Sequence, residues 1–285
     1  MIGFNYLGRK GRLGNQIFQY AALRGICEKH GYEWCIPPQG SSSIDDYGTD
    51  CNYLMFETFK LGSVKNTGFV ETQSIGEKGF GFDEDLFNTC PDNINLTGHY
   101  QSEKYFKHIE KSLREDLSFH DDVLEKCKEF IDPIKEEQGR VAFLHVRRGH
   151  PKLVDAYTNL AEHHPPCTIE YYKEAVNKLP KDIPILVFSD YIEWCKEQDF
   201  FEDDRFMLSE SYDEFSNGIR CHFTDLCLMS LCTDAIIANS SFSWWGAWLS
   251  KGVDKVVCAP SIWFGPNNAH LDTSDIIPSD WVIVK

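Results

Sequence analysis

His145-Val146-Arg147-Arg148-Gly149-His150 sets two guanidinium groups side by side, directly after Val141-Ala142-Phe143-Leu144, an apolar run that reads as a buried strand. The chain carries 28 Lys+Arg against 44 Asp+Glu, a net charge of -16, so the pair is a local positive island in a negative protein. In an open α/β sheet, ligands bind outside the carboxyl ends of the strands. The planar fork of a guanidinium matches phosphate oxygens in a bidentate way that lysine does not. Together these point to a site for a phosphorylated small molecule. Strand alternation sends Val146 and Arg148 to one face and His145 and Arg147 to the other. One arginine can then meet a ligand while the other braces the loop through carboxylates. Surface ion pairing would use the same two residues, and His145 alone reads as readily as a satisfied core histidine.

Four other segments have comparable chemistry. Gly8-Arg9-Lys10-Gly11-Arg12-Leu13-Gly14-Asn15-Gln16 joins a first strand to a helix. Its glycines permit close backbone approach, and a helix start offers unpaired amides to an anion. The spacing is neither GxGxxG nor GxxxxGK[ST], and the three cations would serve equally to solvate a turn. Ile236 to Leu249 is again strand, polar turn and helix, with Asn239, Ser240, Ser241 and Ser243 at the turn. These groups can cap the helix or donate to phosphate. Trp244, Trp245 and Trp248 can stack on a sugar or base, or simply pack the helix. Asp190, ending Phe188-Ser189-Asp190, and Asp225, in His222-Phe223-Thr224-Asp225, are carboxylates able to accept paired donors from a guanine edge. Aspartate is also a common helix cap.

Behind these loops the second half alternates clearly. Strands at 141–146, 184–189, 205–208, 234–238 and 254–258 are separated by helices at 168–179, 191–198, 221–232 and 243–249. Short apolar strands alternating with helices predict a doubly wound parallel sheet. In the first half a helix is expected from Gln16 to His30, stopped by Gly31, then strands at 32–36 and 95–98. A charged helix follows at 118–131, and Asp132 to Gly139 reads as a linker. The expected domains are 1–138 and 139–285. The negative charge opposes nucleic-acid and anionic-membrane partners. No apolar run approaches the length of a membrane span, and Met1 to Tyr6 lacks the pattern of a signal peptide. Eleven cysteines without a CxxC pair suit free thiols in a reducing cytoplasm rather than a zinc site.

Taken in order, the motifs resemble glycosyltransferase family 11, the α-1,2-fucosyltransferases, in their soluble bacterial form. The likeness runs through Gly11 to Ala21, Tyr100-Gln101-Ser102-Glu103-Lys104-Tyr105-Phe106, His145 to Gly149 and Asn239 to Leu249. The resemblance implies a GT-B architecture, two Rossmann-like α/β domains facing a cleft. The N-terminal domain would lie on the acceptor side and the C-terminal one would hold GDP-fucose. It implies metal-independent, inverting transfer from GDP-β-L-fucose to the 2-hydroxyl of a galactose-containing oligosaccharide, with no cofactor. Arg147 and Arg148 would lie near the diphosphate. Ser241 and Ser243 would belong to the donor site, and Gly14 and Asn15 would meet the donor from the N-terminal side. Another GDP-sugar, another acceptor, or a glycan-binding homologue without catalysis are the alternatives. One departure stands out: the family's Asp after Arg-Arg-Gly is His150 here. His145, His150 and Asp155 are the candidates for accepting a proton from the attacking hydroxyl.

Overall fold

The computed structural model describes residues 1–44, 50–149, 160–208 and 222–285. The chain forms two compact units, Met1–His120 with Leu271–Pro278, and Asp121–His270 with Ser279–Lys285.

In the first unit, β1 (Ile2–Gly3) leads to α1 (Leu13–His30) and β2 (Trp34–Cys35). A hairpin of β3 (Ser42–Ile44) and β4 (Asp50–Asn52) precedes α2 (Met55–Thr58). Then come β5 (Ser74–Gly76), α3 (Glu84–Thr89), β6 (Asn95–Thr97) and α4 (Glu110–Asp116). The sheet order is β2-β1-β6-β5, with every pairing parallel. Helix α1 is buried nearly all round, from Leu13 and Ile17 to Ile26 and Cys27. That is the pattern of a helix enclosed by its own domain. Gly25 makes the enclosure possible, since a Cβ there would sit 1.9 Å from the carbonyl oxygen of Tyr105. Gly31, with φ 69°, ends the helix as expected.

The same helix carries a buried charge. Arg24, 6% exposed, pairs with Asp116, 1% exposed, and its guanidinium lies 5.0 Å from the centre of the Trp34 ring. Asp116 also accepts the Tyr20 hydroxyl and the Ser63 amide, each at 2.9 Å. Burial pushes the Tyr20 pKa well up, so its hydroxyl stays a donor.

The second unit opens with α5 (Asp121–Gln138), which carries the expected charged helix on through most of the segment read as a linker. Pro133 and the run of charges suggested a break. Instead Cys127 and Ile131 are buried, and the helix continues until Gly139, at φ 75°, donates its amide to Lys135. The division between compact units therefore falls at 120/121 rather than at the expected 138/139. Next come β7 (Ala142–Val146), α6 (Leu160–His163), α7 (Ile169–Val176), β8 (Ile185–Ser189), α8 (Ile192–Lys196) and β9 (Phe206–Leu208). They are followed by α9 (His222–Leu231), β10 (Asp234–Ile236), α10 (Ser241–Leu249), β11 (Val257–Pro260) and β12 (Val282–Val284). Helix α9 packs against both α5 and α10. The last expected strand is shifted toward the C-terminus, to Val257–Pro260, because Asp254 sits in a turn with φ 51°, outside the strand region.

The six strands are all parallel in the order β12-β11-β10-β7-β8-β9. Chain order thus runs outward from β7 through β8 and β9, then restarts at β10 on the other side. This is the order of the doubly wound nucleotide-binding sheet, whose switch point lies between the two central strands. Here those strands are β7 and β10. Loops leaving a switch point diverge to opposite faces and open a crevice between them.

Candidate active site

The arginine segment leaves β7 at this switch point, and the Asn239–Ser243 turn leaves β10 beside it. The two loops meet where the Arg147 guanidinium donates to the carbonyl of Asn239 at 3.3 Å. The expected alternation is visible in the surroundings. His145 faces α10, its ring 6.1 Å from that of Phe242, and is 8% exposed. Arg148 turns the other way, toward α8, with its guanidinium 4.1 Å from the centre of the Trp194 ring.

Asp190, a candidate for recognising a base, is engaged by backbone. Its two carboxylate oxygens accept the amides of Arg148 at 2.8 Å and Gly149 at 3.0 Å. A carboxylate from the end of β8 therefore organises the arginine loop. His150 and Asp155 themselves lie outside the described residues.

Asn239 braces its own turn with nearly every group it has. Its Nδ2 donates to the carbonyls of Pro165 and Trp263, at 2.9 and 3.1 Å, and Cys167 Sγ lies 3.9 Å from its Oδ1. Burial pushes the Cys167 pKa up, so this thiol is a neutral strut rather than a nucleophile. Ser240 starts α10 without a capping bond from its side chain, and no acidic residue occupies the first turn. A helix start left without a protein carboxylate is electrostatically suited to an anion. Ser241 is half-buried on that first turn. Ser243 is wholly buried and turns its hydroxyl back to the Ser240 carbonyl, so it closes the turn from beneath.

The tryptophans pack. Trp244 and Trp245 are fully buried and meet edge to face, and Trp244 contacts Trp281 while Trp245 contacts Trp248. Asp225 is half-buried on the first turn of α9. Because α9 runs into the amino end of β10, its start lies at the carboxyl edge of the sheet, as the arginines do.

Gly14 and Asn15 belong to the first unit. In the sheet order β2-β1-β6-β5, β1 and β6 are the central strands, and the glycine-rich loop follows β1. Asn15 Nδ2 holds the Lys10 carbonyl at 2.6 Å, and Gln101 Nε2 donates to Asn15 Oδ1 at 2.9 Å. Gln19 joins the loops a second time, accepting from the Gly8 amide at 2.8 Å and donating to the Gly98 carbonyl at 3.2 Å.

Among the described residues, no group of His, Cys, Asp and Glu side chains is placed to hold a metal ion. None of the helices described is long and apolar enough to cross a membrane. Every cysteine with a described side chain is free and buried.

The model of the family described as "Glycosyl transferase family 11" matches residues 2–285. The chain belongs to glycosyltransferase family 11. An alpha-1,2-colitosyltransferase from Escherichia coli is 29% identical, over 96% of this chain and 97% of that protein. The bovine (Bos taurus) galactoside 2-alpha-L-fucosyltransferase SEC1 is 22% identical, over 86% of this chain and 64% of its own length. The crystal structure of POFUT1 in complex with GDP-fucose superposes with a TM-score of 0.55 at 11% identity, covering 90% of this chain and 97% of that one. At that identity the likeness concerns the fold, which is of the GT-B type with a parallel sheet in each unit.

Trp194 was not singled out from sequence, since its partner lies in another loop. In this glycosyltransferase, Trp194→Ala is expected to release the Arg148 side chain. A cation over an indole contributes roughly 0.5–2 kcal/mol. Affinity for a bound diphosphate should fall a few-fold to tenfold, and Trp194→Phe should recover part of it. Isothermal titration with GDP reads both.

Proposed function

We propose that this protein transfers L-fucose from GDP-β-L-fucose to the 2-hydroxyl of a galactose-containing glycan, with inversion and without a metal ion. The observation that carries the proposal is the switch point, where Arg147 spans from β7 to the uncapped helix start after β10. In the reaction the acceptor oxygen attacks C1 of the sugar, and the bond from C1 to the diphosphate breaks. The bonding pair leaves with the diphosphate, and the proton of the acceptor hydroxyl passes to a base. As the bond breaks, the sugar becomes oxocarbenium-like and negative charge grows on the leaving oxygens. Fixed donors aimed at that charge stabilise the transition state more than the ground state. Arg147 and the α10 amides are the donors we assign to the diphosphate, with Ser241 beside them and Asp225 at the same edge. Arg148, braced by Trp194 and Asp190, adds charge from the other face. Gly14 and Asn15 are assigned a supporting part in donor binding.

The alpha-1,2-colitosyltransferase relative favours a second reading, with GDP-colitose as donor. Colitose is fucose without its 3-hydroxyl. A site built to hydrogen-bond that hydroxyl rejects the sugar lacking it by a large factor, whereas an apolar site discriminates weakly. Melting curves in EDTA with GDP, GDP-fucose, GDP-colitose and GDP-mannose test donor and metal together. A ligand at about 100 times its Kd stabilises by roughly 2.7 kcal/mol. GDP and GDP-fucose are expected to raise Tm, and product NMR with a galactoside is expected to show an α-1,2 linkage. No shift with GDP would refute the nucleotide site. Glycan binding without any GDP binding would make the protein a lectin-like homologue.

A further inference from the structure

Glu77 follows β5 directly at the carboxyl edge of the first unit's sheet, and its side chain lies under the turn that leaves β6. Its Oε1 accepts the amides of His99 at 2.7 Å and Tyr100 at 3.0 Å, and its Oε2 lies 3.1 Å from the Tyr100 nitrogen. Two consecutive amides converge on one carboxylate because the turn is unusual, with φ 148° at Gly98 and φ 55° at Tyr100. A left-handed tyrosine persists only where its surroundings hold it. The wrap is close: a Cβ on Gly98 would stand 3.0 Å from Oε1 and 2.9 Å from the Tyr100 ring. The next residue, Gln101, bonds to Asn15, and Asn15 bonds back to the Lys10 carbonyl. A continuous path of hydrogen bonds and short backbone thus runs from Glu77 to the start of α1.

We propose that Glu77 is a positioning residue, pinning the Gly98–Gln101 turn and through Gln101 fixing the Asn15 side chain for donor binding. The proposal rests on the reading that assigns Asn15 to the donor. The charged and titratable groups facing Glu77 are Lys10 from the glycine-rich loop, Asp83 from the cap of α3, and His99, Tyr100 and Tyr105 from the chain after β6. Burial pushes the Glu77 pKa up to about 7 and Asp83 adds to the rise, against the two amide bonds and Lys10. An opened turn would return the carboxyl to an ordinary value near ~4.3. The closed turn therefore binds more protons than the open one. Its extra stability is fully present below the ordinary value and is lost as pH rises through about 7.

Hydrogen exchange over residues 98–102 tests the pin without reference to activity. Glu77→Ala is expected to lower protection there about tenfold, the upper end for the loss of an ordinary hydrogen bond. Wild-type protection should fall between about pH 5 and 8, whereas Glu77→Gln, which keeps an acceptor oxygen and does not ionise, should show no step. In transfer assays Glu77→Ala should raise the donor KM about tenfold with a smaller change in kcat, and Glu77→Gln should restore most of it. Unchanged protection in Glu77→Ala, or a wild-type pH step in Glu77→Gln, overturns the pin. Lost protection combined with wild-type transfer in both Glu77→Ala and Asn15→Ala overturns the assignment of Asn15 instead.

Discussion

Arg147→Ala is expected to lower the turnover of fucosyl transfer by roughly 10²–10³-fold, the usual effect of removing one fixed donor from a developing anion. Three features make Arg147 the stronger choice of the pair. It leaves β7 on the α10 side, it reaches the carbonyl of Asn239, and it thereby stands beside the helix start after β10. Arg148 instead lies over Trp194, with its amide held by Asp190. Arg148→Ala should cost less in turnover and more in donor affinity. Arg147→Lys retains the charge but not the fork, so it should recover only part of the loss. Steady-state kinetics with GDP-fucose, alongside melting curves for each variant, separate a lost transition-state contact from a damaged fold. Wild-type turnover in Arg147→Ala would remove the arginine from the mechanism.

The second large effect is expected in stability. Asp116→Ala should destabilise the first unit by about 3–5 kcal/mol, because it leaves the Arg24 charge buried without its partner. The Tyr20 hydroxyl and the Ser63 amide would lose their acceptor in the same step. Globular proteins are stable by only about 5–15 kcal/mol, so this one change should take a large share of the margin. Asp116→Asn keeps an acceptor oxygen and should fall between alanine and wild type. Replacing Arg24 with Met together with Asp116→Leu removes both charges, and should cost far less than Asp116→Ala alone. Urea unfolding of the four proteins checks the order. Equal costs for the double and single changes would mean that the stranded charge is not the cause.

The C-terminal sheet was largely legible from sequence because its strands are continuous apolar runs and its helices carry clear stops. The N-terminal sheet was legible only in part: β1, β2 and β6 fall where strands are expected, whereas β5 escaped, since these strands span only two or three residues each. Such segments are defined by pairing between distant parts of the chain rather than by local pattern. Strand β12 escaped notice for the same reason. Helix α5 was cut short because Pro133 and Gly139 look like punctuation, while the burial of Cys127 and Ile131 that sustains the helix is a tertiary matter. At the site, adjacent arginines stood out against a negative chain. Their partners did not, because Asp190 lies 42 positions from Arg148 and an aspartate after a strand carries many meanings. Serine content at α10 pointed to a ligand, yet Ser243 and Asn239 hold the turn together from within.

The course of the C-terminal segment sets a rule for building chimeras. Residues Leu271–Pro278 pack with the first unit, and the chain then returns to add β12 beside β11. Lys104 pairs with Asp275, whose other carboxylate oxygen accepts the Phe82 amide at 3.0 Å. A recombinant that exchanged only residues 1–120 between two family members would keep an eight-residue patch from the wrong parent inside the new half. Transplanting either half intact therefore needs three crossover points rather than one, after His120, after His270 and after Pro278. Libraries cut at a single junction should yield mismatched halves even where each parental half folds well.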